Sequence, residues 1–157
     1  MVRPAWSRRW PRIALVLLAV CALPLASCAK GGGKKTMTLR LTSVPKANAC
    51  GKPTGNSLSF RLLQVTDASP LAGIPLDKAW DREDKVFGAA LLSIKEGYID
   101  PDTSLKIQYE FDPKTKAVVF VGAFCKPEGN CWYFVKPMTK SGTLNLTIDE
   151  SCVRASK

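Results

Sequence analysis

Leu105, Ile107, Tyr109 and Phe111 alternate with Lys106, Gln108 and Glu110. A helix, repeating about every 3.6 residues, would scatter the four apolar side chains around its axis, whereas a strand places them all on one face. The same period of two recurs where Met37, Leu39 and Leu41 alternate with Thr38, Arg40 and Thr42, predicting a strand over Met37–Val44. A second strand is predicted over Ser57–Thr66, with Leu58, Phe60 and Leu62 on its buried face. Ala117–Phe124 is apolar throughout, which predicts a central strand covered on both sides. Lys95–Ile99, Trp132–Val135 and Thr143–Asp149 complete the set, and Asp112-Pro113-Lys114-Thr115 reads as a hairpin turn. Seven or so short strands with frequent turns predict a mainly β, two-sheet sandwich. Two helices, Leu76–Trp80 and Asp84–Ile94, are expected as a small insertion between strands two and three. The second has Asp84 as N-cap and Val86, Phe87, Ala89, Ala90, Leu91, Ser93 and Ile94 as its core-facing stripe.

The amino terminus follows a different rule. Arg3, Arg8, Arg9 and Arg12 precede an uncharged apolar run, Ile13–Leu25, the anatomy of a secretory signal peptide. The run is too short to span a bilayer, which takes roughly twenty residues. It ends at Leu25-Ala26-Ser27-Cys28, which resembles the lipobox of bacterial lipoproteins. That resemblance implies cleavage before Cys28, with a diacylglycerol thioether on its sulfur and an acyl group on its nitrogen. Residues 1–27 are therefore expected to be a signal peptide, 28–35 a lipidated tether containing Gly31-Gly32-Gly33, and 36–157 the sandwich domain.

The net charge of +10 suggests nucleic-acid binding only until it is divided by position. From Leu41 onward fifteen basic residues face thirteen acidic ones, so the body lacks the basic face such binding needs, and no nucleic-acid partner is expected. The basic cluster Lys30, Lys34, Lys35 and Arg40 follows the anchor and would lie beside a membrane surface. Four cysteines remain in the body: Cys50, Cys125, Cys131 and Cys152. In an exported protein they are expected to form disulfides, and of the three possible pairings Cys125–Cys131 with Cys50–Cys152 is favoured. A zinc site is not expected, because the chain has no Cys-x-x-Cys pair and no histidine.

The missing histidine also removes the usual base of serine and cysteine nucleophiles. The acidic groups Asp81, Glu83 and Asp84, and Asp100 with Asp102, fall in turns or at a helix start, where capping and solvation explain them. No enzyme and no cofactor beyond the lipid on Cys28 are expected. The feature out of proportion is Pro45–Asn56, a connection longer than most hairpins use, and loops of that length are commonly functional.

Lipobox, tether, strand, long loop, Ser59-Phe60-Arg61-Leu62-Leu63-Gln64-Val65, short helices, Tyr98-Ile99-Asp100-Pro101 and Ala117-Val118-Val119-Phe120-Val121-Gly122-Ala123-Phe124 together resemble the TssJ (SciN) lipoproteins of bacterial type VI secretion systems. The resemblance implies a transthyretin-like sandwich anchored in the outer membrane and facing the periplasm. It also implies binding to the periplasmic C-terminal domain of TssM, within a complex of TssJ, TssL and TssM. In that family the first inter-strand loop contacts TssM. The corresponding residues are Lys46, Ala47, Asn48, Ala49, Gly51, Lys52, Pro53, Thr54, Gly55 and Asn56, with Cys50 among them. The alternative is a periplasmic lipoprotein that binds a small ligand or carbohydrate on Trp80, Trp132 and Tyr133.

Overall fold

The computed structural model describes residues 35–156. Eight strands form two four-stranded sheets. In chain order they are β1 (Lys35–Ser43), β2 (Leu58–Val65), β3 (Leu91–Ile99), β4 (Ser104–Phe111), β5 (Ala117–Gly122), β6 (Tyr133–Pro137), β7 (Gly142–Ile148) and β8 (Val153–Ala155). The first sheet runs β4-β1-β7-β8 and the second β3-β2-β5-β6; the neighbours β1 and β7 are parallel and every other pair is antiparallel. Met37, Leu39 and Leu41 from β1 and Leu144, Leu146 and Ile148 from β7 are buried against Leu58, Phe60 and Phe120 of the second sheet. Phe60 and Phe120 stack with ring centroids 5.3 Å apart, a favoured offset arrangement.

The outer face of the second sheet is not left to solvent. Between β2 and β3 lie a 3-10 turn (Ser69–Leu71) and two short helices, α1 (Leu76–Ala79) and α2 (Glu83–Phe87). Leu71, Ala79 and Phe87 join the same buried cluster as β5. All six residues of β5 are buried, so its continuous apolar run follows from being sandwiched between the opposite sheet and this insertion.

The predicted helix over Asp84–Ile94 is corrected. It ends at Phe87, because Gly88 adopts φ 49, and a 3-10 turn over Gly88–Ala90 leads into β3. Leu91, Ser93 and Ile94 therefore belong to an edge strand, and Ile94 is exposed rather than core-facing. Asp84 lies in the first turn of α2, whose cap position is Arg82. The three-residue strand β8 lies beyond the strands expected from the sequence.

One arginine holds the insertion down. Arg61, on the outward side of β2, sends Nη1 to Glu83 (2.8 Å), Nη2 to Asp81 (2.6 Å) and Nε to Glu96 (2.9 Å), while its guanidinium lies 4.3 Å from the Trp80 ring centroid. Burial works against its charge, but the hydrogen bonds to Glu83 and Asp81 outweigh that and hold its pKa above the ordinary arginine range. Asp81 and Glu96 are exposed and contribute little, whereas Glu83 is 6 % exposed and relies on this partner. Arg61→Met is expected to cost about 3 kcal/mol, because it strands a buried carboxylate. Urea unfolding checks this, and Glu83→Gln in the same chain should recover part of the loss.

Candidate functional site

The topology divides the domain into two poles. At one, the chain enters β1 at Lys35 and the β2, β4 and β6 strands end; at the other lie the β1–β2, β3–β4, β5–β6 and β7–β8 connections. The candidate loop occupies the second pole, and all four body cysteines lie there with it.

The pairing of those cysteines corrects the favoured expectation. Cys50 is joined to Cys125 and Cys131 to Cys152, with Cα atoms 5.5 Å and 5.0 Å apart. Neither Cys125–Cys131 nor Cys50–Cys152 forms. The reason lies in the hydrogen bonds beside each sulfur: the Cys125 amide donates to Asn48 Oδ1 (3.0 Å), two residues from Cys50, and the Cys131 carbonyl accepts from the Val153 amide (2.8 Å), next to Cys152. The β5–β6 loop thus does not pinch itself shut. It is tied on one side to the β1–β2 loop and on the other to the start of β8.

Within the loop, burial separates two kinds of residue. Ala47, Asn48 and Ala49 are buried, Gly55 and Asn56 are half-buried, and Lys46, Gly51, Lys52, Pro53 and Thr54 are exposed. Asn48 is the fulcrum. At φ 49 it folds the chain back, its side-chain Nδ2 donates to the Ser57 carbonyl (3.1 Å), and its backbone carbonyl accepts from Asn56 Nδ2 (2.9 Å). The Asn56 amide closes the loop on the Ala47 carbonyl (2.9 Å), and the Asn48 amide reaches the Asp149 carbonyl of the β7–β8 connection (3.2 Å). Gly55 permits this closure: a Cβ there would come within 2.6 Å of the Pro45 carbonyl and 2.9 Å of Pro101 Cβ. Of the ten residues expected to face a partner, the three buried ones brace the loop, Gly55 and Asn56 are half-buried, and Lys46 with the tip Gly51–Thr54 is exposed.

The other motif residues also resolve into framework. Gln64 accepts from the Asp112 amide and Thr115 Oγ1, both at 3.0 Å, fixing the β4–β5 turn from inside the core. Ser43 Oγ and Thr103 Oγ1 donate to the Asp100 carbonyl, and Ser57 Oγ donates to its carboxylate, which seats the Asp100-Pro101 turn under the loop. A Cβ on Gly122 would meet the Phe124 ring at 2.7 Å.

The three aromatics of the alternative reading do not form an exposed platform. Trp132 is 1 % exposed, Tyr133 packs edge-on against it at 4.7 Å, and Trp80 carries Arg61. Trp80 and the buried Trp132 line a cleft of about 560 Å³, beside Leu76, Phe124 and Pro127. Among the described residues, no group of three or more Cys, Asp or Glu side chains is placed to hold a metal.

Residues 35–150 match the family described as "Type VI secretion lipoprotein, VasD, EvfM, TssJ, VC_A0113". The chain belongs to this TssJ family. Its fold agrees: it is similar to the Pseudomonas aeruginosa type VI secretion lipoprotein TssJ1, at TM-score 0.69 and 18% identity over 78% of this chain and 95% of that one. A structure described as a type VI membrane complex contains a chain similar at TM-score 0.72 and 14% identity, covering 79% of this chain and 99% of that one. A structure described as the TssM C-terminal domain (869-1107) from EAEC matches at TM-score 0.66 and 15% identity, over 78% and 98%. No curated protein sequence matches the chain. As a TssJ-family lipoprotein, the chain carries the mainly β, two-sheet fold and the helical insertion of its class. Its leader, lipobox and Cys28 lie outside the described residues.

Proposed function

We propose that this TssJ-family protein is a non-enzymatic adaptor, anchored in the outer membrane through lipid on Cys28 and docked through the tip of its first loop. Its partner is the periplasmic C-terminal domain of TssM, and the two act with TssL in the membrane complex of a type VI secretion system. The observation that carries the reading is the construction of the loop. Eleven residues that could have been a loose connection are braced by a disulfide, a buried asparagine and a sterically required glycine, yet present Lys46, Gly51, Lys52, Pro53 and Thr54 to solvent. A loop ordered before binding loses little conformational entropy on docking, which favours a protein-contact role over a solvated connection. The family match and the occurrence of the fold in a type VI membrane complex support the same partner class.

The test is affinity for the TssM periplasmic C-terminal domain, measured with the chain from residue 28 carrying Cys28→Ser. Lys52→Glu with Thr54→Glu should weaken binding at least tenfold, as expected for charge reversal and bulk at a contact, on the order of 1–2 kcal/mol. Both side chains are exposed, so the melting temperature should not move. Unchanged affinity in that variant would remove the loop tip from the interface.

A further inference from the structure

The pole opposite the docking loop is basic. Lys35 opens β1 there, Lys114 and Lys116 sit in the β4–β5 turn, and Lys136 and Lys140 flank the β6–β7 turn. Hydrogen bonds draw these segments together: the Met138 amide donates to the Lys116 carbonyl (2.8 Å), the Lys116 amide to Val65 (3.0 Å), and the Thr36 amide to Ser141 Oγ (3.0 Å). Lys114, Lys116, Lys136 and Lys140 are all exposed, and no ion pair between described residues involves any of them. Three acidic residues share the pole: Asp67, Glu110 and Asp112. Two of these are exposed but engaged in local hydrogen bonds, and the Asp67 carboxylate also interacts electrostatically with Lys116. Asp67 accepts from the Ser69 amide and hydroxyl, and Asp112 accepts from the Lys114 amide. The docking pole has the reverse balance, with Lys46, Lys52 and Lys126 against Asp100, Asp102, Glu128, Asp149 and Glu150. A body that is nearly neutral overall is therefore polarised along its strands.

We infer that the basic pole is a membrane-contact surface that rests on the anionic phospholipid headgroups beside the anchor. Chain length supports this occupant. Only six residues lie between Cys28 and Lys35, and the seven steps reach at most about 25 Å when fully extended, so the pole that receives the tether is the one held near the bilayer. Charge supports it as well, since surface lysines are attracted to anionic lipid. The consequence is orientation. With the basic pole on the headgroups, the strands stand away from the membrane and the loop Lys46–Asn56 faces the periplasm. The inference goes beyond the docking reading; it shares with that reading the position of the tether, and its test does not involve TssM.

The chain from residue 28 with Cys28→Ser has no lipid, and its core lies wholly between Met37 and Val153. Its co-sedimentation with phosphatidylcholine vesicles, with and without phosphatidylglycerol, reads the pole directly. Association should require phosphatidylglycerol and disappear at raised salt. Replacing Lys114, Lys116, Lys136 and Lys140 together with glutamine should weaken it by about fivefold per lysine, about 600-fold in all. The same four positions as arginine should bind like the parent, which separates charge from any effect on folding. Glutamine at Lys46, Lys52 and Lys126 should change nothing. Absence of binding at low salt, equal binding to vesicles without phosphatidylglycerol, or an equal loss in the Lys46, Lys52 and Lys126 control overturns the inference. Binding to peptidoglycan sacculi in place of vesicles would overturn it too. Loss of TssM affinity in the loop variant, measured separately, bears only on the docking reading.

Discussion

Cys28→Ser in the full chain is expected to move the protein from the membrane fraction to the soluble periplasmic fraction and to abolish type VI secretion. On the proposed anchoring, the native protein is held by several acyl chains, each contributing ~0.8 kcal/mol per buried methylene, where a single chain gives only reversible attachment. The body offers no comparable apolar hold: among the described residues the exposed large hydrophobics are Ile94 and Tyr98, both on the edge strand β3. What remains after the substitution is the basic pole, whose attraction is screened by salt. Fractionation should therefore show complete release at raised salt and a small, salt-sensitive residue at low salt. The variant should keep the melting temperature of the unmodified body, because the core begins at Met37. Normal secretion by Cys28→Ser would remove anchoring from the function, and salt-resistant membrane association would place the attachment elsewhere.

The sequence was most informative where a single physical constraint acts on consecutive residues. Alternation in β1 and β4 reports one buried face, and that face is buried in the fold: Leu39, Leu41, Tyr109 and Phe111 all belong to the core. The unbroken apolar run of β5 reports two covered faces, which requires something on the outside of the second sheet, and the helical insertion supplies it. Legibility failed where two periods fit the same letters. Val86, Ala89, Ala90 and Ser93 lie at helical spacing, but Gly88 breaks the helix and the remainder pairs with β2. β8 has three residues, too few to show any period. Partner choice among the cysteines depends on how four connections meet at one pole, which no local pattern encodes. The loop was legible as long and turn-rich. The burial of Ala47, Asn48 and Ala49 inside it was not, because proline, glycine and asparagine mark where a chain turns and carry no information on what the turn packs against.

Removing the Cys50–Cys125 link should have two effects of different size, and their separation tests the logic of the docking pole. With Cys50→Ala and Cys125→Ala together, the chain-entropy account assigns the lost 75-residue closure about 4 kcal/mol, against about 3 kcal/mol for the 21-residue Cys131–Cys152 link. Urea unfolding should show that ranking. Either loss is a large share of the stability of a domain this size, yet Cys131→Ala with Cys152→Ala frees only the start of β8 from the β5–β6 loop and leaves the β1–β2 loop tied down. The Cys50–Cys125 variant instead leaves the loop held by Asn48 and Asn56 alone, and Asn48 Oδ1 now depends on an untethered Cys125 amide. If the loop tip docks on TssM, ordering the loop must then be done at binding, at about 1 kcal/mol for each backbone position that becomes loose. Affinity should fall by more than tenfold in this variant while the folded fraction at low temperature stays complete. The Cys131–Cys152 variant should bind within about twofold of the parent. Equal losses of affinity in the two variants would mean that global stability, and not bracing of Gly51–Thr54, is what the disulfides contribute to docking.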